Sequence, residues 1–147
     1  MSSGPKILVE TKNLSTHFPI YGGLMRKKVG AVQAVNEVNI QILEGETLGI
    51  VGESGCGKST LGRTICRLYE PTSGKINFAD QDITHMERSE LKPIRRHMQM
   101  IFQDPYASLN PRLTVERILE EPYKLHRIGK PSERRDMIAN LMVSVGL

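Results

Sequence analysis

The sequence contains 147 residues, of which 39% are hydrophobic and 24% are charged, a balance that excludes a disordered tail and favours one globular domain. Its 20 basic and 16 acidic side chains give a formal net charge of +4, which permits an anionic partner without requiring one. No apolar run approaches the ~20 residues of a membrane span, and residues 1–10 lack the pattern of a signal peptide. We therefore expect a soluble, cytosolic chain.

The first third of the chain shows short strand-like alternations of apolar residues. Ile7–Val9 and Val32–Ile42 predict two strands. In the second segment, four apolar residues form one inward-facing set despite a break in phase: Val35, Val38, Ile40 and Ile42. Between the two segments, Pro19–Gly30 is rich in glycine and basic residues and predicts a loop or an extension of a hairpin.

The pattern then changes from strand to helix around a glycine-rich segment. Thr47–Val51 is short and apolar throughout, which predicts a strand buried on both faces. Beyond Gly57, apolar residues recur at helical spacing and predict a helix from Lys58 to about Tyr69. The residues that set this spacing are Leu61, Ile65 and Leu68.

Four further elements follow before the chain turns amphipathic. Lys75–Phe78 predicts a strand, Ala79–Asp82 a turn, and Met98–Phe102 another strand. Glu87–His97 predicts a helix interrupted at Pro93.

The last quarter of the chain predicts two amphipathic helices, from Thr114 to about Leu125 and from Ser132 to about Val145. On the second helix, one apolar side is predicted from Ile138, Leu141, Met142 and Val145. Because only one or two strands follow Val51, we expect an α/β fold whose doubly wound parallel sheet is incomplete, in a chain that is cut short.

The segment GESGCGKS, Gly52–Ser59, matches the pattern G-x-x-x-x-G-K-[ST] between the predicted strand and helix. Glycines let successive backbone N–H groups approach phosphate oxygens, and the following helix aims the positive end of its dipole at the same anion. Lys58 can reach the β- and γ-phosphates, the Ser59 hydroxyl can ligate Mg²⁺, and Thr60 can donate to a phosphate. The candidate nucleotide-binding residues are therefore Gly52, Glu53, Ser54, Gly55, Cys56, Gly57, Lys58, Ser59 and Thr60.

The two cysteines, Cys56 and Cys66, fit neither a disulfide framework nor a zinc-binding spacing. They are interpreted as loop or buried thiols in a reducing compartment. Cys56 lies beside a lysine and a helix N-terminus, so a redox role is the alternative to a passive loop residue.

Gln103 ends the predicted strand Met98–Phe102, 45 residues after Lys58. A glutamine at such a place can offer its amide oxygen to Mg²⁺ or orient an attacking water. It can equally be a polar residue that caps a strand before an ordinary turn. Spacing alone leaves both interpretations open.

Basic residues cluster at Arg26–Lys28 and Arg95–His97. Short clusters of this kind are typical of solvated faces. The chain has no tryptophan, three phenylalanines and four tyrosines, so no stacking platform for single-stranded nucleic acid is evident. We predict no nucleic-acid partner.

Three segments together resemble an ABC-type ATPase, and more narrowly the ATP-binding subunits of oligopeptide, dipeptide and nickel importers. They are FPI (Phe18–Ile20), AVNEVNIQILEGETLGIVGESGCGKSTLGRTI (Ala34–Ile65) and MIFQDPYASLNPR (Met100–Arg112). The resemblance implies a P-loop NTPase fold: a RecA-like core, an N-terminal antiparallel β-subdomain, and a helical subdomain after the glutamine loop. It divides this chain at about residue 103, with the start of the helical subdomain in residues 104–147.

By position, the resemblance implies that Gly52–Thr60 is the Walker A loop, that Gln103 is the glutamine of the Q-loop, and that Lys58 and Gln103 serve hydrolysis of Mg-ATP. Ser59 and Gln103 would ligate Mg²⁺. Phe18 falls where the family's adenine-stacking aromatic lies; Tyr21 is an alternative, and Phe18 is otherwise a core residue. Asp104–Arg112 resembles the surface that receives the transmembrane permease.

The family's signature sequence, its Walker B carboxylates and its switch histidine do not occur among the 147 residues. We therefore expect the family function, Mg-ATP hydrolysis that drives peptide uptake by a pair of ATPase subunits at the cytoplasmic face of the membrane, while this chain alone is inactive. The alternatives are a nucleotide-binding module without turnover and an ABC ATPase of a nucleic-acid process.

Overall fold

The computed structural model describes residues 5–23, 27–104 and 108–147. Two compact units divide the chain, Met1–Met100 and Ile101–Leu147. The described strands and two helices lie in the first unit, and two further helices lie in the second.

A long antiparallel hairpin begins the first unit. Strand β1, Ile7–Gly22, pairs with strand β2, Lys27–Leu43, from Ile7 opposite Leu43 to Gly22 opposite Lys27. The predicted segment Pro19–Gly30 therefore continues the hairpin, which is one of the two predicted outcomes. Residues 24–26, including Arg26 of the predicted basic cluster, lie outside the described residues.

Two more strands extend the sheet to the order β2-β1-β3-β4. Strand β3, Ser73–Phe78, confirms the predicted strand and pairs antiparallel with β1. Strand β4, Gln81–Asp82, folds back on β3 through Ala79 and Asp80, whose φ angles are 47° and 65°. Two consecutive positive φ values match the twist of a tight hairpin turn. The turn therefore consists of Ala79 and Asp80 and is shorter than the predicted Ala79–Asp82.

Two predicted strands, Thr47–Val51 and Met98–Phe102, are wrong, because neither segment forms a strand. Most of their apolar side chains are exposed, Val51 to 94% and Ile101 to 89%, although Met98 packs partly buried against the core. A strand is defined by hydrogen bonds to a neighbour, and the four described strands pair only among themselves. An apolar pattern in the sequence indicates that a segment needs burial, but it does not identify the strand with which that segment would pair.

Helix α1, Lys58–Ile65, begins at the predicted residue and ends four residues earlier than Tyr69. Leu68 therefore lies beyond the helix and is 47% exposed, which corrects its predicted place on the apolar side. Helix α2, Arg88–Ile94, is capped by Glu87 and Glu90 and contains Pro93 one residue before its end. It is shorter than the predicted Glu87–His97, and Pro93 does not interrupt it.

The core of the first unit lies between the sheet and the buried face of α1. Val35 is 4% exposed, and Val38, Ile40 and Ile42 pack partly buried against the core, which confirms the predicted inward set. The central buried apolar residues are Val9, Leu14, Val35, Leu61, Ile65, Ile76, Ile83, Leu91 and Ile94. Their burial fixes α1, and hence the loop before it, against β1 and β2.

The second unit contains helix α3, Val115–Leu125, and helix α4, Arg134–Ser144. Thr114 caps α3 by accepting a hydrogen bond from the Arg117 backbone N–H at 3.3 Å, as its residue type favours. Of the four residues predicted on the apolar side of α4, only Ile138 is buried. Met142 is half-buried, whereas Leu141 and Val145 are exposed, so the predicted apolar side is wider than the buried face.

Candidate functional site

The glycine-rich loop Gly52–Gly57 leads directly into α1. Gly57 is the residue before the helix and has a left-handed backbone with φ of 96°. A Cβ atom at Gly57 would lie 2.1 Å from the Ala34 carbonyl oxygen on β2. Glycine is therefore required here for its conformation and for space, and the loop lies tightly against the hairpin.

The N-terminal end of α1 presents unpaired backbone donors. Gly57 supplies no side-chain cap, and the first turn contains no acidic residue. The first helical hydrogen bond runs from the Leu61 N–H to the Gly57 carbonyl at 2.8 Å, so the N–H groups of Lys58, Ser59 and Thr60 have no partner inside the helix. Such an end, with the positive pole of the helix dipole, is suited to bind an anion.

The Lys58 ammonium folds back over the loop. Nζ donates to the Gly52 carbonyl at 2.7 Å and to the Glu53 carbonyl at 2.6 Å, and it lies 3.4 Å from Cys56 Sγ. The lysine thus places a positive charge inside the curve of the loop. A phosphate oxygen can take the place of these carbonyl oxygens, because it accepts a stronger, charge-assisted hydrogen bond from the ammonium.

The remaining predicted loop residues are accessible. Glu53, Ser54, Gly55, Cys56 and Ser59 are exposed, and Thr60 is half-buried. The loop therefore brings together the residues from Gly52 to Thr60 that the sequence predicts.

The two cysteines are free and differ in their surroundings. Cys56 is exposed in the loop beside the Lys58 ammonium. Cys66 is half-buried just beyond α1, and burial raises the pKa of its thiol. Within the described residues, no group of three or more metal-binding side chains (histidine, cysteine, aspartate, glutamate) could hold a metal ion.

Phe18 lies on β1 opposite Val32, is 38% exposed, and meets Tyr69 edge to face with ring centroids 5.3 Å apart. Arg63 donates from Nη1 to the Tyr69 hydroxyl at 3.3 Å, and its guanidinium carbon lies 5.7 Å from the centre of that ring. Tyr21, the alternative aromatic, is 62% exposed. The sequence did not predict that Tyr69 contacts Phe18. The only signal for such a contact is that Tyr69 is an aromatic residue just after a helix.

Gln103 is exposed and lies outside helix and strand, in the second unit, whereas Lys58 belongs to the first. Its predicted place beside the phosphates therefore stays a prediction. In the predicted permease surface Asp104–Arg112, Ser108 Oγ donates to the Asp104 carbonyl at 2.7 Å, and Asn110 Oδ1 accepts from the Arg112 N–H at 3.0 Å. Residues 105–107 of that surface lie outside the described residues.

The sequence is similar to known ATP-binding proteins of transport systems. A family model described as ABC transporter matches residues 35–147. Oligopeptide transport ATP-binding protein AppF of Bacillus subtilis is 47% identical over 147 residues, which cover 99% of this chain and 45% of that protein. Glutathione import ATP-binding protein GsiA of Pectobacterium atrosepticum is 44% identical over 140 residues, which cover 95% of this chain and 22% of that protein.

The fold is also similar to a solved structure, the dimeric ATP-binding cassette MJ0796 bound to ADP and Pi. That similarity has a TM-score of 0.70 at 30% sequence identity and covers 88% of this chain and 53% of that one. The chain spans less than half the length of the two ATP-binding proteins AppF and GsiA. In the part of the chain that the structure describes, no helix has the length and apolar character needed to cross a bilayer.

Proposed function

This chain belongs to the ABC transporter family, and from that premise we propose that it binds Mg-ATP as the energy-coupling ATPase subunit of a peptide-type importer. The observation that carries the proposal is the open N-terminal end of α1, with three N–H groups and the Lys58 ammonium converging on one exposed loop. The similarity to peptide-importer ATPases over nearly the whole chain supports the choice of substrate class.

Each loop residue has a separate role in this proposal. Lys58 leaves the Gly52 and Glu53 carbonyls and pairs with the β- and γ-phosphates, while the backbone N–H groups at the start of α1 bind the remaining oxygens. The Ser59 hydroxyl ligates Mg²⁺, with Gln103 as a second protein ligand, and Thr60 donates to a phosphate. Phe18, or alternatively Tyr21, stacks on the adenine.

The partners belong to the same proposal. Asp104–Arg112 contacts a transmembrane permease, and a second ATPase subunit, identical or different, completes the nucleotide site. The working place of the protein is then the cytoplasmic face of the membrane, and no nucleic acid is involved. The division at about residue 103, between the β-subdomain with the P-loop core and the start of a helical subdomain, is part of this proposal.

Calorimetric titration of Mg-ATP into this chain tests the nucleotide site. We expect saturable binding that Lys58→Ala removes and Lys92→Ala preserves, because Lys92 is an exposed lysine on α2, outside the loop. Binding that survives Lys58→Ala would contradict the assignment of the loop. A complete lack of binding would contradict a nucleotide site in this chain.

Turnover is a separate question. Lys58 stabilises phosphate charge and Gln103 is proposed to orient water, but neither is a carboxylate that can act as general base. We therefore propose that this chain by itself binds nucleotide without turnover. Steady-state phosphate release should equal that of Lys58→Ala, and release above this blank would contradict the proposal.

A further inference from the structure

Arg67 occupies a backbone position that usually belongs to glycine. It follows α1 with φ of 52°; its N–H donates to the Thr64 carbonyl at 2.9 Å, and the next N–H, of Leu68, donates to the Arg63 carbonyl at 2.8 Å. These two bonds form the Schellman ending of a helix, in which glycine avoids the cost of a left-handed conformation. An arginine here therefore indicates that its side chain makes a compensating contribution.

The Arg67 side chain is buried without a counterion. The residue is 8% exposed; Nε donates to the Ile83 carbonyl at 3.0 Å and Nη2 to the Met86 carbonyl at 3.3 Å. Nη1 is buried without a hydrogen-bond partner, and no ion pair involving Arg67 occurs within residues 5–23, 27–104 and 108–147. The negative pole of α1 stabilises a cation at this end, but two carbonyls do not neutralise a buried guanidinium.

Arg67 also lines a cavity of about 460 Å³. Arg88, Arg95 and His85 line the same cavity, and Arg95 Nη2 donates to the Arg67 backbone carbonyl at 3.0 Å, which holds the Arg95 side chain against the backbone of Arg67. Two carboxylates also line it, Glu70 and Glu87. Three arginines therefore line the cavity with two glutamates, which leaves an excess of one formal positive charge from these residues.

We propose that this cavity, defined by Arg67, Arg88 and Arg95, binds a small phosphate-type oxyanion. Arginine presents a planar set of donors that pairs with phosphate oxygens in charge-assisted hydrogen bonds. The bound anion supplies the negative charge that pairs with the buried Arg67 guanidinium. The site differs from the nucleotide loop, because it lies at the C-terminal end of α1 and the loop lies at the N-terminal end, roughly 12 Å away along an eight-residue helix.

Calorimetric titration of inorganic phosphate tests this second site in a Lys58→Ala background, which weakens the loop. Arg88 is exposed, so Arg88→Gln removes a charge from the cavity without opening the core. We expect Arg88→Gln and Arg95→Gln each to lower phosphate affinity about tenfold, as for the loss of one charge-assisted hydrogen bond. Arg96→Gln is the matched control, because Arg96 is exposed, adjacent in sequence and absent from the lining; its effect should stay within about twofold.

Acetate and sulfate titrations identify the anion class: sulfate should compete with phosphate, and acetate should compete weakly. Equal phosphate affinity in Arg95→Gln and Arg96→Gln would overturn the proposal, as would a lack of saturable phosphate binding. Arg67→Met should abolish binding; if that variant does not fold by circular dichroism, the Arg88 and Arg95 variants decide the outcome. Since Lys58 is already removed, this result is independent of the proposed nucleotide site.

Discussion

The hydroxyl groups of Thr16 and Thr64 lie 2.9 Å apart in the buried contact between β1 and α1. Thr64 Oγ1 also lies 2.8 Å from the Thr60 carbonyl and donates to it, one turn earlier in the helix. Thr16 is therefore the donor to Thr64, a residue of the helix that follows the glycine-rich loop. This pair joins the sheet to the element that positions Lys58.

The two members of this pair should not contribute independently to the stability of the fold. Thr64→Val leaves the Thr16 hydroxyl buried without a partner, which costs about 1–3 kcal/mol of unfolding free energy. The double variant Thr16→Val/Thr64→Val should lose less than the sum of the single losses, because no orphaned hydroxyl remains. Urea denaturation of the four proteins measures the coupling, and additive losses would show that the hydroxyls do not interact.

Gly57→Ala should damage both the fold and the nucleotide site. The added methyl group meets the Ala34 carbonyl at 2.1 Å, in a backbone conformation with φ of 96° that side chains disfavour. Gly55→Ala is the control, because it has φ of 84° but nothing within 4 Å of the added atom. We expect a loss of about 1 kcal/mol for Gly55→Ala and at least about 3 kcal/mol for Gly57→Ala by thermal denaturation. Equal losses of unfolding free energy in the two variants would mean that the close approach of residue 57 to β2 does not contribute to the difference.

Bound Mg-ATP should slow alkylation of Cys56. The thiol is exposed and lies 3.4 Å from Lys58 Nζ, so phosphates seated in the loop would cover it. Cys66 is the internal control, since it is half-buried and burial raises the pKa of its thiol, which lowers its thiolate fraction. Mass spectrometry of each peptide after timed alkylation gives both rates. If nucleotide slowed Cys66 as much as Cys56, the protection would be a global stabilisation instead of coverage of the loop.

Local features of this fold were predictable, and non-local ones were not. The glycine spacing and the start of α1 depend on neighbours in sequence, and both were predicted at the right residues. Thr47–Val51 was predicted as a strand because its apolar run implies burial, but pairing requires a partner that a pattern cannot specify. The buried position of Arg67 was not predicted for a similar reason. Its side chain donates to the Ile83 and Met86 carbonyls, which are distant in sequence.

Acid should weaken the sheet through Glu10. Hydrogen bonds from Lys12, Gln41 and Asn77 lower the pKa of this carboxyl from 4.5 to about 2. A pKa lowered by folding gives stability that is present above pH 4.5 and is lost as the pH falls from there through about 2. Glu10→Gln should flatten the pH dependence of unfolding free energy in this window. Glu44→Gln, at an exposed turn, should leave the slope unchanged, and an identical slope in both variants would contradict the role of Glu10.

The base and the phosphates of a nucleotide should be separable by substitution on β1. Phe18 is held edge to face by Tyr69 and remains 38% exposed, so part of its ring is available for stacking. Phe18→Ala should weaken Mg-ATP binding about tenfold, as for loss of one stacked ring, and leave inorganic tripolyphosphate binding unchanged. Tyr21→Ala is the matched comparison, because Tyr21 lies three residues further along the same strand. If Tyr21→Ala alone weakened ATP binding, adenine would stack on Tyr21, and Phe18 would serve only to pack against Tyr69.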